Sequence, residues 1–267
     1  MNEEGGDLQS RPEKDPGGGA RPVVGSGGEP EGGWLLALDL SGPRGILVLD
    51  GPGRTTHRLI EAGERTGGLF VEAGELMRET GIEPGGLGLL GVAVGPGSFT
   101  GVRTAVMAAK TMAEVLRVPL VATDSLSVLA AGMEEERWIF VAVDARRGEV
   151  YHALFRVADE GSGPLPEAAE WMEVGSPPEA AEALRGWMEK TGKEPVLAGT
   201  GIEAFPEAWP SRLTRRPSPW PQPGALARLC RRAFRRGEVA DPILLTPMYL
   251  RRPDTGGKGS RGKGECG

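Results

Sequence analysis

Seven consecutive residues, Gly95-Pro96-Gly97-Ser98-Phe99-Thr100-Gly101, hold the densest set of chemical possibilities in the sequence. They follow an apolar run, Leu87 to Val94, and lead into an Ala-rich amphipathic segment, Val102 to Arg117, which makes them a glycine turn between a strand and a helix. Such a turn suits three uses. Ser98 or Thr100 can cap the helix, the amides at its N-terminus can bind a phosphate, and a hydroxyl on a sharp strand-to-helix turn can act as a nucleophile. The stricter signatures are incomplete: Val102-Arg103 stands where a Walker A loop needs Lys-Ser/Thr, and the dinucleotide and Gly-x-Ser-x-Gly spacings fail as well. A nucleophilic Ser98 would also need a base. His57 and His152 are the two histidines of the chain, far apart and in strand-like segments, with no His-x-x-x-His or Cys-x-x-Cys spacing to hold a metal.

Two carboxylates, Asp39 and Asp144, occupy equivalent places in a weak internal repeat. Trp34 to Asp39 is followed by a glycine-containing turn and Ile46 to Leu49; Trp138 to Asp144 is followed by Arg146-Arg147-Gly148 and Val150 to Phe155. Each half thus opens with a buried strand, an Asp and a hairpin. An Asp so placed can lie close to nucleotide phosphates, or it can cap its own turn or pair with Arg44 or Arg147. Both readings are open at this level. The alternation of strand and helix patterns after each hairpin predicts an α/β chain with a mixed sheet flanked by helices in each half, the duplicated two-domain layout of the actin-like superfamily.

The elements that would position these residues follow from periodicity. Thr55 to Ile60 reads as the third strand, and Leu69, Phe70, Ala73, Leu76 and Met77 mark a helix after it. The helix after the glycine turn puts Val102, Ala105, Val106, Ala109, Met112, Ala113 and Leu116 at helical spacing, and its small residues permit close packing against its own sheet or against a partner. Pro119 to Ala122 is a short strand and Ser125 to Met133 a short helix capped by Asp124 or Ser125. Pro177 to Lys190 and Gly224 to Arg236 are helical, and Pro195 to Ala198 is a strand ending in Gly199-Thr200-Gly201, a turn that could face a ligand. The expected division is a 33–134 domain, a 135–252 domain, an acidic Gly/Pro-rich arm at 1–32 and a basic mobile tail at 253–267.

Composition restricts the function classes. With 267 residues the chain can bury a sizeable core, while the arm has too little apolar surface to offset its ordering entropy. The arm has no apolar signal-like region, and no run of about 18 apolar residues suggests a membrane span. Two cysteines, Cys230 and Cys266, are too few for a disulfide scaffold and fit a reducing compartment, so the expectation is a soluble cytoplasmic protein. The net charge of −6 disfavours nonspecific nucleic-acid binding. Basic residues gather locally at Arg228, Arg231, Arg232, Arg235 and Arg236, and again at Arg251, Arg252, Lys258, Arg261 and Lys263. These are solvated surface or contacts for RNA phosphates.

Four separated motifs, Leu38-Asp39-Leu40-Ser41, Gly95 to Arg103, Val143 to Tyr151 and Pro247-Met248-Tyr249-Leu250-Arg251, resemble in order those of the TsaB family, also called YeaZ, over about residues 34 to 252. The resemblance implies an actin-like fold and a role in threonylcarbamoylation of the adenosine next to the tRNA anticodon. It implies a non-catalytic scaffold with no cofactor and no metal, paired with the TsaD threonylcarbamoyltransferase through helices of the first half and joined by the TsaE ATPase. Transfer RNA would be met through the complex. The expected interface residues are Phe70, Ala73, Met77, Ala105, Ala109, Met112 and Ala113, and without TsaD the same surface could form a homodimer. Two departures stand out: Asp39-Leu40-Ser41 replaces the usual Asp-Thr or Asp-Ser, and Arg65-Thr66 replaces His-Ser/Thr. The competing class is an enzyme, either an actin-like nucleotide-binding phosphotransferase or a glycoprotease-type hydrolase using Ser98. A direct RNA-binding module is the third reading.

Overall fold

The computed structural model describes residues 33–61, 68–133, 137–159, 163–216 and 222–251. The predicted arm and tail, together with Arg65, Thr66, Arg252, Lys258, Arg261, Lys263 and Cys266, lie outside them. Strands β1 (Trp34–Asp39), β2 (Gly45–Gly51) and β3 (Arg54–Ile60) form an antiparallel meander. Helix α1 (Leu69–Thr80) crosses to β4 (Leu87–Ala93), which pairs parallel with β1; α2 (Phe99–Leu116) crosses to β5 (Leu120–Thr123), parallel with β4. Every residue of β4 is buried, as expected for a strand covered on both faces.

The second half repeats the plan. After α3 (Ser125–Ala131), β6 (Trp138–Arg146) and β7 (Glu149–Asp159) form a long hairpin, and both β8 (Pro164–Pro166) and β9 (Trp171–Gly175) pair antiparallel with β7. Helix α4 (Pro177–Thr191) leads to β10 (Val196–Ala198), parallel with β6, and α5 (Thr200–Ala204) leads to β11 (Arg215–Arg216), parallel with β10. Strands β5-β4-β1-β2-β3 therefore correspond in order and direction to β11-β10-β6-β7-β9. This duplication gives the actin-like α/β fold anticipated from the two strand-Asp-hairpin openings.

The chain then returns to its beginning. Helix α6 (Pro223–Arg235) packs on β1, β2, β4 and β5, and β12 (Val239–Ala240) joins the edge of the first sheet beside β5. Sequence segment 135–252 thus contains elements of both sheets. Gly91 makes the return possible, because a Cβ there would collide with the sulfur of Cys230. The Cys230 thiol is fully buried, and burial pushes its pKa up to about 12, which leaves it an inert packing group. On the outer face of the first sheet, α1 and α2 cover Leu36, Leu38, Leu47, Leu90 and Val92. On its inner face α6 covers Leu35, Ala37, Val48 and Leu89, while α3 places Leu126 and Leu129 against Ile139, Val141 and Phe155 of the second sheet. Helices α3 and α6 contact each other and form a layer shared by the two sheets.

Candidate functional site

The glycine loop is a helix cap locked to the first hairpin. Ser98 is the N-cap of α2, and its hydroxyl accepts a hydrogen bond from the Gly101 amide at 3.3 Å. Its own amide donates to the Ser41 carbonyl at 2.7 Å. Gly97 lies so close to that turn that a Cβ would stand 2.5 Å from the Ser41 carbonyl oxygen. Asp39 is completely buried, and its Oδ1 accepts from the Ser41 amide at 2.8 Å. The repeat is faithful here too: Asp144 Oδ1 accepts from the Arg146 amide at 2.8 Å, and its own amide donates to Thr200 Oγ1 at 3.1 Å. Both carboxylates cap their own turns in this structure. Thr200, from the Gly199-Thr200-Gly201 turn, faces Asp144 of its own half.

The histidines occupy strands, as predicted, and neither belongs to a catalytic pair with Ser98. His57 is exposed on β3; His152 is buried on β7, where its Nδ1 accepts from the Trp171 indole at 3.2 Å. Burial pushes the His152 pKa below the usual 6.5, partly opposed by Glu173 and Glu179. Asp124 caps α3 by accepting from the Ser127 amide at 2.7 Å and from the Ser127 hydroxyl at 2.5 Å. Its burial raises the carboxyl pKa above the ordinary 3.8, against the lowering effect of those hydrogen bonds. Among the described residues, no group of three His, Cys, Asp or Glu side chains could hold a metal ion, and no helix is long and apolar enough to cross a membrane.

The apolar surface of the first half lies elsewhere than on the residues expected to form it. Ala73, Met77, Ala105, Ala109, Met112 and Ala113 are buried in the chain's own core and form no exposed surface. Their small side chains serve the close approach of α1 and α2 to the first sheet. Phe70 is the exception, 51% exposed. The outward surface of α2 carries a second stripe at four-residue spacing: Phe99, Arg103, Met107, Thr111 and Val115, in which Met107 is 61% and Val115 73% exposed. Leu69 and Phe70 of α1 face Arg103, Thr104, Met107, Ala108 and Thr111 of α2 across an open groove of about 320 Å³, lined mainly by apolar atoms.

A C-terminal strap extends this surface. Lys110 of α2 donates to the carbonyls of Ile243 and Leu245 at 3.1 and 2.9 Å, and the Met248 amide donates to the Val94 carbonyl at 2.7 Å. Arg103 Nε donates to the Tyr249 hydroxyl at 2.8 Å while its guanidinium stacks 4.1 Å from the Phe99 ring centre. Ile243 and Leu244 are exposed beside it. The sequence motifs Gly95 to Arg103 and Pro247 to Arg251 are therefore one spatial unit, joined by a cation and two aromatic rings.

Three of the five arginines clustered at α6 are engaged within the chain, while Arg235 and Arg236 are exposed. Arg231 donates to Asp50 Oδ2 at 2.6 Å and to the Gly33 and Asp50 carbonyls; Arg228 donates to the Ala131 carbonyl at 3.1 Å and Arg232 to the Pro166 carbonyl at 2.6 Å. These guanidiniums tie the inner face of α6 to its neighbours, because a basic helix sandwiched between sheets must satisfy its donors internally. Arg251 likewise binds Glu149 and the Ala145 carbonyl.

Known proteins share this arrangement. The TsaB threonylcarbamoyladenosine biosynthesis protein of Bacillus subtilis is 31% identical over 185 residues, covering 66% of this chain and 75% of that protein. This chain belongs to the TsaB family. The TsaB protein of Haemophilus influenzae is 26% identical over 231 residues, covering 83% of this chain and 94% of its own length. A model of the related family described as TsaD, tRNA N6-adenosine threonylcarbamoyltransferase, matches residues 69–184. The solved structure of YeaZ from Pseudomonas aeruginosa superposes with a TM-score of 0.68 at 26% identity, over 81% of this chain and 99% of that one. The TsaB motifs quoted from the sequence thus fall on the two turn caps, the α2 N-terminus and the strap.

Proposed function

We propose that this protein is the non-catalytic scaffold of the tRNA threonylcarbamoyladenosine machinery, and that it holds a TsaD-like transferase against the outer face of α1 and α2. The observation that carries the reading is the apolar stripe of Phe70, Met107 and Val115, exposed beside a groove on helices whose opposite faces are fully used by the core. Relatives named as threonylcarbamoyladenosine biosynthesis proteins support the pathway, and the match to the transferase family supports a partner of similar fold. Two similar folds can pair through equivalent helices, which makes a homodimer the state of the isolated chain. Ser98 acts as a cap, and Asp39 and Asp144 as turn ligands, in keeping with chemistry carried out by the transferase and by a TsaE-like ATPase. The assembly works in the cytoplasm and meets tRNA as a complex.

Co-purification with the cognate transferase tests this assignment. Phe70→Glu and Met107→Glu alter side chains that are already exposed, so each variant keeps its melting temperature and loses the partner. Unchanged complex formation in the double variant overturns the interface. Modification of tRNA in a mixture of transferase, ATPase and adenylate-forming synthase stops when this chain is omitted; continued modification overturns the scaffold role.

A further inference from the structure

The outward face of α2 carries charge where its surroundings are apolar. Arg103 and Lys110 stand roughly two turns apart on that helix, about 10 Å along its axis. Toward α1 they are flanked by the groove that holds Phe70 and Met107, and toward the strap by Ile243 and Leu244, 67% and 74% exposed. The strap turn is closed by hydrogen bonds. The Ile243 amide donates to Asp241 Oδ1 at 2.8 Å, and the Leu244 and Leu245 amides donate to the Asp241 carbonyl at 3.1 and 2.9 Å. Leu245 packs against the core, which leaves its two neighbours displayed outward.

Both cations are held by neutral groups. Arg103 uses Nε on the Tyr249 hydroxyl and lays its guanidinium on the Phe99 ring, while Lys110 uses two of its three N–H donors on strap carbonyls. Among the described residues no carboxylate forms an ion pair with either, although Glu75 and Glu114 occupy the same two helices. Side chains already ordered in this way lose little further freedom when a ligand arrives.

A surface of this kind selects its cover. A partner that seals the apolar strips also removes water from the row between them, and a desolvated charge left without a counter-charge opposes the contact. The cover must therefore bring carboxylates. A phosphate backbone would satisfy the cations but leave Met107, Ile243 and Leu244 without an apolar counterpart. We infer that the partner docked on α1 and α2 is a protein surface whose apolar residues are interrupted by two carboxylates spaced by about two helical turns, one for Arg103 and one for Lys110, with a further apolar contact on the Ile243–Leu244 turn. The two cations then decide which partner is accepted, because a surface lacking the acids is rejected. The inference rests on the scaffold reading for the place of the interface.

The test separates charge from bulk. Arg103→Gln with Lys110→Gln keeps donors for Tyr249 and for the strap carbonyls while removing both charges. Association with the cognate transferase is timed at low and at high salt. The expected result is an unchanged melting temperature, association about tenfold slower than wild type at low salt, and rates that converge at high salt. Arg103→Lys with Lys110→Arg keeps both charges and associates at nearly the wild-type rate. A salt dependence that survives in the Gln variant overturns the inference and leaves the scaffold reading standing, as does equal slowing in the charge-keeping variant. Intact assembly with weakened tRNA binding overturns it too, since the cations would then serve nucleic acid. A wild-type chain that fails to bind the transferase overturns the scaffold reading and this inference together.

Discussion

At the end of β1, Asp39 accepts the Ser41 amide at 2.8 Å; in the equivalent turn of the second half, Asp144 accepts the Arg146 amide at the same distance. One turn is sealed by Gly97 and the start of α2, while the other leaves Arg146 and Arg147 exposed to solvent. A duplicated fold supplies the same local device twice, and what packs over it decides whether it serves the core or the surface. In the first half the glycine loop fills the space above the turn. In the second, the corresponding strand β10 leads through Gly199 to Thr200, whose hydroxyl accepts from the Asp144 amide and leaves the tip exposed.

Substitutions that probe each turn should separate the two settings. Gly97→Ala places a Cβ against the Ser41 backbone, which cannot move without disturbing Asp39, and should cost roughly 3 kcal/mol or more in denaturant unfolding. Gly148→Ala meets open space and carries only the left-handed penalty, about 1 kcal/mol. Equal losses in the two variants would erase the contrast. The arginines that brace the halves give the next comparison. Arg231→Ala leaves the part-buried Asp50 without its partner and should lower stability by about 2 kcal/mol, against about 1 kcal/mol for Arg251→Ala at the more exposed hairpin. A larger loss for Arg251 would mean that the second hairpin is as firmly embedded as the first.

The smallest effect concerns the layer between the sheets. Because burial raises the Asp124 pKa above 3.8, the folded state binds that proton more tightly than the unfolded chain. Its contribution is fully present below pH 3.8 and is lost as pH rises through the folded value. Asn retains N-cap capacity without the charge, so Asp124→Asn should flatten this part of the stability profile and raise the melting temperature at neutral pH. A parallel profile in both proteins would count against the burial argument. His152 has the opposite sign: its lowered pKa makes the fold lose stability as pH falls below 6.5.

Much of this was legible because local chemistry is written in short windows. The capping role of Ser98, the Asp-centred turns and the repeated hairpins follow from residue types at fixed offsets, and the structure contains them. The direction of α2 was not legible in the same way. Its apolar residues fall on two stripes, one built from Ala105, Ala109 and Ala113 and one from Phe99, Met107 and Val115, and periodicity cannot say which stripe meets a sheet formed by distant strands. Size offers the missing cue: the stripe of small residues lies where backbones approach, while Phe99, Met107 and Val115 stay exposed. The internal partners of Arg228, Arg231 and Arg232 were hidden for a related reason. Sequence shows the charge of these arginines, whereas their partners, Asp50 and the Gly33, Ala131 and Pro166 carbonyls, lie from 66 to 198 residues away.

The return of α6 and β12 to the first sheet has a consequence for biosynthesis. The strands translated first remain uncovered on their inner face until nearly the whole chain has left the ribosome, since Leu226, Leu229 and Cys230 complete that core. A nascent chain stopped before residue 222 would display Leu35, Val48 and Leu89 to water and invite chaperones or aggregation. The first half cannot mature ahead of the second, as an ordinary N-terminal domain does, and completion of its core is coupled to synthesis of α6.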